Sequence, residues 1–194
     1  MLKYYYPCLP NRLHVDSPYL RELDKSPKWV AEVKRNGWRC GAYRGLVLTL
    51  WTRKKTTIDD PLPTLREALF NMIPEQTIID GELLEKRTKT VKELFYAFDI
   101  IVYRNNPVFM YLWKERRLLL ESVIKPIKGL VELSIPVNIG KTKLYYDSIG
   151  TEDCEGIVLK KVDSPYLVGA RDCPQNPYWL KVKRAEKCQY ADKR

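Results

Sequence analysis

Lys34 stands in the string Glu32-Val33-Lys34-Arg35-Asn36-Gly37-Trp38-Arg39. Downstream come Asp80-Gly81-Glu82, then Glu155-Gly156-Ile157-Val158-Leu159-Lys160, then Lys181-Val182-Lys183. The set suits one chemistry: an amine attacks the α-phosphate of a nucleotide and keeps the nucleotide as a covalent adduct. A lysine is a nucleophile only when neutral, so an ordinary amine pKa near ~10.4 must fall by about three units. Desolvation and neighbouring cations do this, and Arg35, Arg39, Lys181 and Lys183 are the cations on offer. Gly37 permits a tight turn and a close ligand approach. Arg39 presents a planar fork of donors suited to a ribose or a phosphate.

Each piece alone has a plainer reading. A Lys-x-x-Gly-x-Arg string arises by chance in a chain of this length about 4% of the time, at roughly 6% usage per fixed position. Asp-Gly is a strong turn signal. Lys181 and Lys183 share one face of a strand, and such a pair is usually just solvated. Phe98, in Phe95-Tyr96-Ala97-Phe98-Asp99-Ile100, reads first as core, although an aromatic face can also stack on a base. The order is what counts. Glu82 follows Lys34 by 48 residues, Glu155 follows it by 121, and Lys181 follows Glu155 by 26. Two carboxylates from separate strands can serve ribose and Mg²⁺ together, since Mg²⁺ takes one or two carboxylates beside phosphate and water oxygens. Two ammonium groups on one face can hold an α-phosphate.

The elements that must position these groups follow from periodicity and turn residues. Residues 1–28 read as an irregular arm with one short helix near Tyr19–Leu23. Trp29–Lys34 is a strand. Arg39–Tyr43 and Leu46–Thr52 form a hairpin through Arg44-Gly45. Thr64 caps a helix with Glu67 in the capping-box position. Gln76–Leu83 and Phe95–Tyr103 are strands, and Met110–Ile124 is a helix stopped by Lys125-Pro126. Leu130–Val137, Glu155–Lys161 and Tyr178–Lys183 are strands, followed by a charged tail. The class is α+β, rich in antiparallel sheet, as a single domain over 1–194 without repeat or linker.

Composition narrows the partners. Lys plus Arg is 34 and Asp plus Glu is 24, a net charge of +10 that favours a polyanion such as nucleic acid. Cys8, Cys40, Cys154, Cys173 and Cys188 are odd in number with no CxxC pair, which argues for free thiols over disulfides or zinc. His14 is the single histidine, so no mechanism can use a His pair. No apolar run approaches the ~20 residues of a membrane span, and the N-terminus lacks a signal-peptide core. The chain reads as soluble, intracellular and cytoplasmic.

On these motifs the chain resembles the covalent nucleotidyltransferase superfamily: ATP-dependent DNA ligases, RNA ligases and mRNA capping enzymes. It looks most like the adenylation domain of an ATP-dependent DNA ligase, over about Trp29 to Arg184. Ser164-Pro165-Tyr166, Gly169-Ala170-Arg171 and Trp179-Leu180-Lys181-Val182-Lys183 strengthen the likeness, and Thr52-Arg53 resembles the Ser-Arg that follows the nucleophile motif. The resemblance implies an ATP-grasp-like catalytic domain with ATP between two sheets. Lys34 would form lysyl-AMP. Glu32 would contact the adenine amino group and Phe98 would stack on adenine. Arg39 would contact ribose, and Arg53 a phosphate of the strand or nucleotide. Glu82 would bind ribose or Mg²⁺, Glu155 would place the metal, and Lys181 and Lys183 would hold the α-phosphate. AMP would pass to the 5′-phosphate of nicked double-stranded DNA, or of an RNA-containing duplex, and a 3′-hydroxyl would seal the nick.

RNA ligase and capping guanylyltransferase are the sister readings, and a nucleic-acid-binding domain without turnover is the non-enzymatic one. Asn36 stands where DNA ligases carry Asp, and Trp38 is bulkier than the common occupant. Only 11 residues follow Lys183, too few for the OB-fold usual in such enzymes. A separate OB-fold or DNA-binding partner would then supply that part, and a viral or phage origin would suit so compact a chain.

Overall fold

The computed structural model describes residues 2–85 and 87–184. In chain order the elements are β1 (Tyr6–Pro7), β2 (Leu9–Arg12), α1 (Pro18–Lys25), β3 (Trp29–Arg35), β4 (Trp38–Arg44), β5 (Leu48–Thr52), α2 (Pro63–Met72), β6 (Thr77–Leu84), β7 (Leu94–Tyr103), β8 (Asn106–Pro107), α3 (Trp113–Val123), β9 (Val131–Leu133), α4 (Lys141–Ser148), β10 (Cys154–Lys161), β11 (Val168–Gly169) and β12 (Gln175–Lys183). The charged tail and Cys188 lie outside the described residues.

Two sheets make the framework. One has the order β2-β12-β10-β3; the other runs β5-β4-β6-β7-β8, with β9 added beside β7. β1 and β11 form a separate short pair. Consecutive strands β3 and β4 belong to different sheets, so Asn36-Gly37 between them is the point where the chain passes from one sheet to the other. This matches the antiparallel-rich α+β expectation, with two parallel pairs, β12–β2 and β7–β9, that it did not contain.

Period-two alternation sets what each face meets. On the four-stranded sheet Ala31, Ile157, Leu159, Leu180 and Val182 point one way. They bury against Leu20 and Leu23 of α1 and Tyr145 of α4. On the six-stranded sheet Cys40, Ala42, Ile79, Leu83 and Ile100 pack on Leu65 and Leu69 of α2 and Leu120 and Val123 of α3. Each such leucine contributes about 1.5–3 kcal/mol through burial. The opposite faces of the two sheets turn toward each other. Between them Tyr43, Ile78, Ile101, Tyr166 and Trp179 form a third cluster.

Four local expectations need correction. The N-terminal arm is not irregular. β2 lies parallel to β12 although it contains Pro10, which an edge strand tolerates. Thr64 does not cap α2: the helix starts at Pro63, two residues earlier than a cap at Thr64 would give, the fixed φ of Pro63 suits the first helical position, and Leu62 sits at the cap without a side-chain bond. Leu130–Val137 is not one strand. Val131–Leu133 pairs with β7, and Val137 then bridges Ala31 of the other sheet, with Pro136 in between. Helix α4 has no counterpart among the sequence-based elements. Its Lys141 is fully buried, and its Nζ donates to the carbonyls of Asp24 (2.9 Å), Ser26 (3.1 Å) and Asn138 (2.6 Å), which closes the C-terminal end of α1.

Candidate active site

The two sheets enclose a cleft of about 610 Å³. All nine residues singled out from the sequence line it: Glu32, Lys34, Arg39, Arg53, Glu82, Phe98, Glu155, Lys181 and Lys183.

Sheet register explains the convergence. Cross-strand partners point to the same face. Gly156 on β10 pairs with Lys34 on β3 and with Lys183 on β12, so the two lysines flank one glycine. Gly156 has φ +139°, and a Cβ there would run into the Val182 carbonyl. Only glycine fits there. One register step along, Val158 pairs with Glu32 and with Lys181.

Glu155 is the hub of this wall. Its Oε2 accepts from Lys34 Nζ at 2.6 Å and from Lys183 Nζ at 2.8 Å. Partial burial opposes its ionisation, but Lys34 and the Lys183 hydrogen bond outweigh that and hold the carboxyl below the ordinary glutamate range. Lys181 has no carboxylate partner among the described residues. Burial, then the charges of Lys183, Lys34, Arg12 and Arg53, lower its ammonium pKa.

The turn that follows Lys34 is fixed from the other sheet. Glu82 Oε1 accepts from the Gly37 backbone N–H at 3.1 Å, and a Cβ on Gly37 would fall 2.5 Å from the Leu83 carbonyl oxygen. Burial raises the Glu82 pKa, with Lys34 and Arg39 pulling against it and Glu155 adding to it. Glu82 and Glu155 are thus two carboxylates within electrostatic reach of each other across the cleft. No group of three or more acid, His or Cys side chains placed to hold a metal ion exists among the described residues.

Glu32 is buried, and its Oε2 accepts from Lys160 Nζ at 2.9 Å. Its Oε1 is buried with no hydrogen-bond partner, an acceptor left free at the inner end of the cleft. Phe98 is half-buried beside Trp179, ring centroids 6.4 Å apart.

Arg39 is the most committed of the nine. It donates to both oxygens of Asp80 (3.1 and 2.6 Å), to the Cys8 carbonyl (2.8 Å) and to the Tyr166 hydroxyl (3.1 Å). Of its five N–H donors one is left for anything else. Its guanidinium lies 5.1 Å from the Phe98 ring, so it also supports the aromatic floor. Arg53 is exposed at the rim. The sequence reading missed Lys160, Tyr96, Trp179 and Arg87, which also line the cleft, and the strand residues Leu9 and Pro10. Lys160 ends the Glu-Gly-x-x-x-Lys string, and that placement was its one available signal.

The model of the ATP dependent DNA ligase domain matches residues 84–183. A probable DNA ligase of Persephonella marina is 29% identical over 215 residues, covering 96% of this chain and 36% of that protein. A DNA ligase of Methanothermobacter thermautotrophicus is 27% identical over 171 residues, covering 72% of this chain and 30% of that protein. The chain thus spans about a third of the length of these curated relatives. The ligase domain of Mycobacterium tuberculosis LigD superposes with a TM-score of 0.67 at 21% identity, over 92% of this chain and 59% of that one. The Chlorella virus DNA ligase-adenylate gives 0.59 at 16%, over 91% and 69%. At these identities the structures speak for a shared fold. With the family model running over more than half of the 194 residues, this chain belongs to the ATP dependent DNA ligase domain family.

Proposed function

We propose that this chain is the adenylating domain of an ATP-dependent polynucleotide ligase that acts on nicked DNA. The observation that carries the reading is the convergence of Lys34, Glu82, Glu155, Lys181 and Lys183 on one cleft, with Lys34 Nζ 2.6 Å from Glu155. A binding-only domain needs no amine held against a carboxylate at the mouth of a nucleotide-sized cleft.

Adenine enters at the Glu32 end, its amino group on the free Oε1 and its face on Phe98. Lys181 and Lys183 hold the α-phosphate. Glu82 and Glu155 are the residues that would hold Mg²⁺, which supplies charge neutralisation on the triphosphate. Lys34 loses its ammonium proton to solvent, and its Nζ lone pair attacks the α-phosphorus. A P–N bond forms, the P–O bond to pyrophosphate breaks, and pyrophosphate leaves. In the second step a 5′-phosphate oxygen displaces Lys34 from the AMP phosphorus, and the amine takes back a proton. In the third the 3′-hydroxyl attacks the 5′-phosphorus, loses its proton, and AMP departs. Each step is an in-line displacement at phosphorus, so positioning and neutralisation dominate.

The test is incubation with Mg²⁺ and either α-labelled ATP or α-labelled GTP, then denaturation. Label from ATP on the 22.9 kDa band is expected. Label from GTP alone turns the reading to a capping guanylyltransferase. No label together with sealing of a pre-adenylated nick keeps the ligase but not the first step. The net charge of +10 also predicts phosphate-dominated duplex binding that weakens steeply with salt. Affinity for nicked duplex that is unchanged between low and moderate salt would contradict that part.

A further inference from the structure

Arg35, Arg39, Arg116 and Arg117 each have a carboxylate within ion-pair distance, and three of these pairs tie separate elements together. Arg12 has no carboxylate partner among the described residues, and neither has Lys181. Arg12 is not part of any motif singled out in the sequence.

Its position is set by register. Glu32 on β3 pairs with Val158 on β10, Val158 with Lys181 on β12, and Lys181 with Arg12 on β2. The four residues form one row across the sheet. Glu32, Val158 and Lys181 of that row line the cleft, so the row is on the cleft-facing side and Arg12 stands at its outer end. The Leu13 N–H donates to the Lys181 carbonyl at 3.0 Å, which pins β2 at this point. Leu9 and Pro10 of the same strand line the cleft as well. Strand spacing of about 4.8 Å puts the ends of the row roughly 14 Å apart, the scale of an extended nucleoside triphosphate. Arg12 is also close enough to Lys181 for its charge to disfavour the Lys181 ammonium. An anion between them would relieve that repulsion.

We propose that Arg12, exposed on β2 just outside the residues that line the cleft, is a phosphate-binding residue placed to receive the phosphates beyond the α-phosphate of the bound nucleotide. The assignment deepens the function proposed above and rests on it for the identity of the nucleotide. The shared chemistry is a phosphate monoanion or dianion on a guanidinium fork, and a strand phosphate of the duplex is the alternative source.

The test compares the wild-type chain with Arg12→Ala and Arg12→Lys. Binding of ATP, AMP and inorganic pyrophosphate is followed by calorimetry, nicked duplex binding by a salt series, and folding by thermal melting. Arg12 is exposed, so both variants are expected to melt with the wild type. Arg12→Ala is expected to weaken ATP and pyrophosphate about tenfold and to leave AMP unchanged, with Arg12→Lys between. Unchanged ATP binding with a salt slope for duplex reduced by about one would assign the phosphate to the strand instead. Equal binding of all four probes by Arg12→Ala and wild type overturns the proposal, as does a wild type that binds none of them. A wild type that binds ATP but forms no covalent adduct would sink the adenylation reading and leave the Arg12 comparison intact.

Discussion

The two walls of the cleft are built on opposite principles. On the six-stranded wall the buried charges are tied down. Arg39 is clamped by Asp80, Tyr166 donates to Asp80 at 2.6 Å, and the Asp99–Arg116 pair beneath is almost completely buried. Arg116 holds the carbonyls of Tyr111 and Ser164 as well, so α3 and the loop before Tyr166 share one anchor. On the four-stranded wall Lys34 and Lys183 share a single carboxylate, and Lys181 and Arg12 have none. The contrast separates two tasks. One wall fixes Phe98 and the turn that follows Lys34. The other keeps ammonium groups whose present partners a phosphate can replace at little cost, because they are only partly desolvated.

The sharpest way to break the contrast is Arg116→Met. It leaves Asp99 buried without its counter-charge and is expected to cost about 3–5 kcal/mol. Urea denaturation measures it, and a variant as stable as the wild type would show that the tied wall is not tied. Next is Gly156→Ala, at φ +139° against the Val182 carbonyl. About 1–3 kcal/mol of strain is expected, with covalent labelling reduced because Glu155 is pushed off its lysines. Loss of stability with full labelling would detach Gly156 from the site.

The acid limb is a finer probe. The folded Glu155 carboxyl lies below its ordinary value of 4.5. Its contribution to stability is therefore present above that value and is lost as the pH falls through the folded one. Glu155→Gln should flatten that part of the stability curve, and an unchanged acid limb would mean the two lysines do not hold the carboxylate in solution. The smallest effect is expected for Lys143→Ala, which breaks an exposed i,i+4 pair with Asp147. A change within about 0.5 kcal/mol is the benchmark for a pair that ties nothing.

What the sequence disclosed was the site residues and the regular elements, and not the ion pairs that hold one wall rigid. Lys34, Glu82, Glu155, Lys181 and Lys183 were legible because strand alternation and the adjoining glycines constrain where such residues can point. Long apolar strands such as β7 and the stop at Pro126 were legible for ordinary reasons of periodicity. The ion pairs that tie the six-stranded wall were not. Asp80–Arg39–Tyr166 joins residues up to 127 positions apart, and no local pattern reports such a pairing. β2 is short and holds a proline, so it reads as loop until β12 is there to receive it. In α4 the inward lysine reads as polar, because its three carbonyl partners belong to other segments. Arg12 fell with β2.

The central claim is that the loosely partnered wall carries the nucleophile. Digestion of the adenylated protein followed by mass spectrometry of the AMP-bearing peptide tests it directly. The account predicts AMP on Lys34, and no adduct in Lys34→Ala despite an unchanged melting temperature. AMP on Lys160, Lys181 or Lys183, or an adduct that survives in Lys34→Ala, would contradict it.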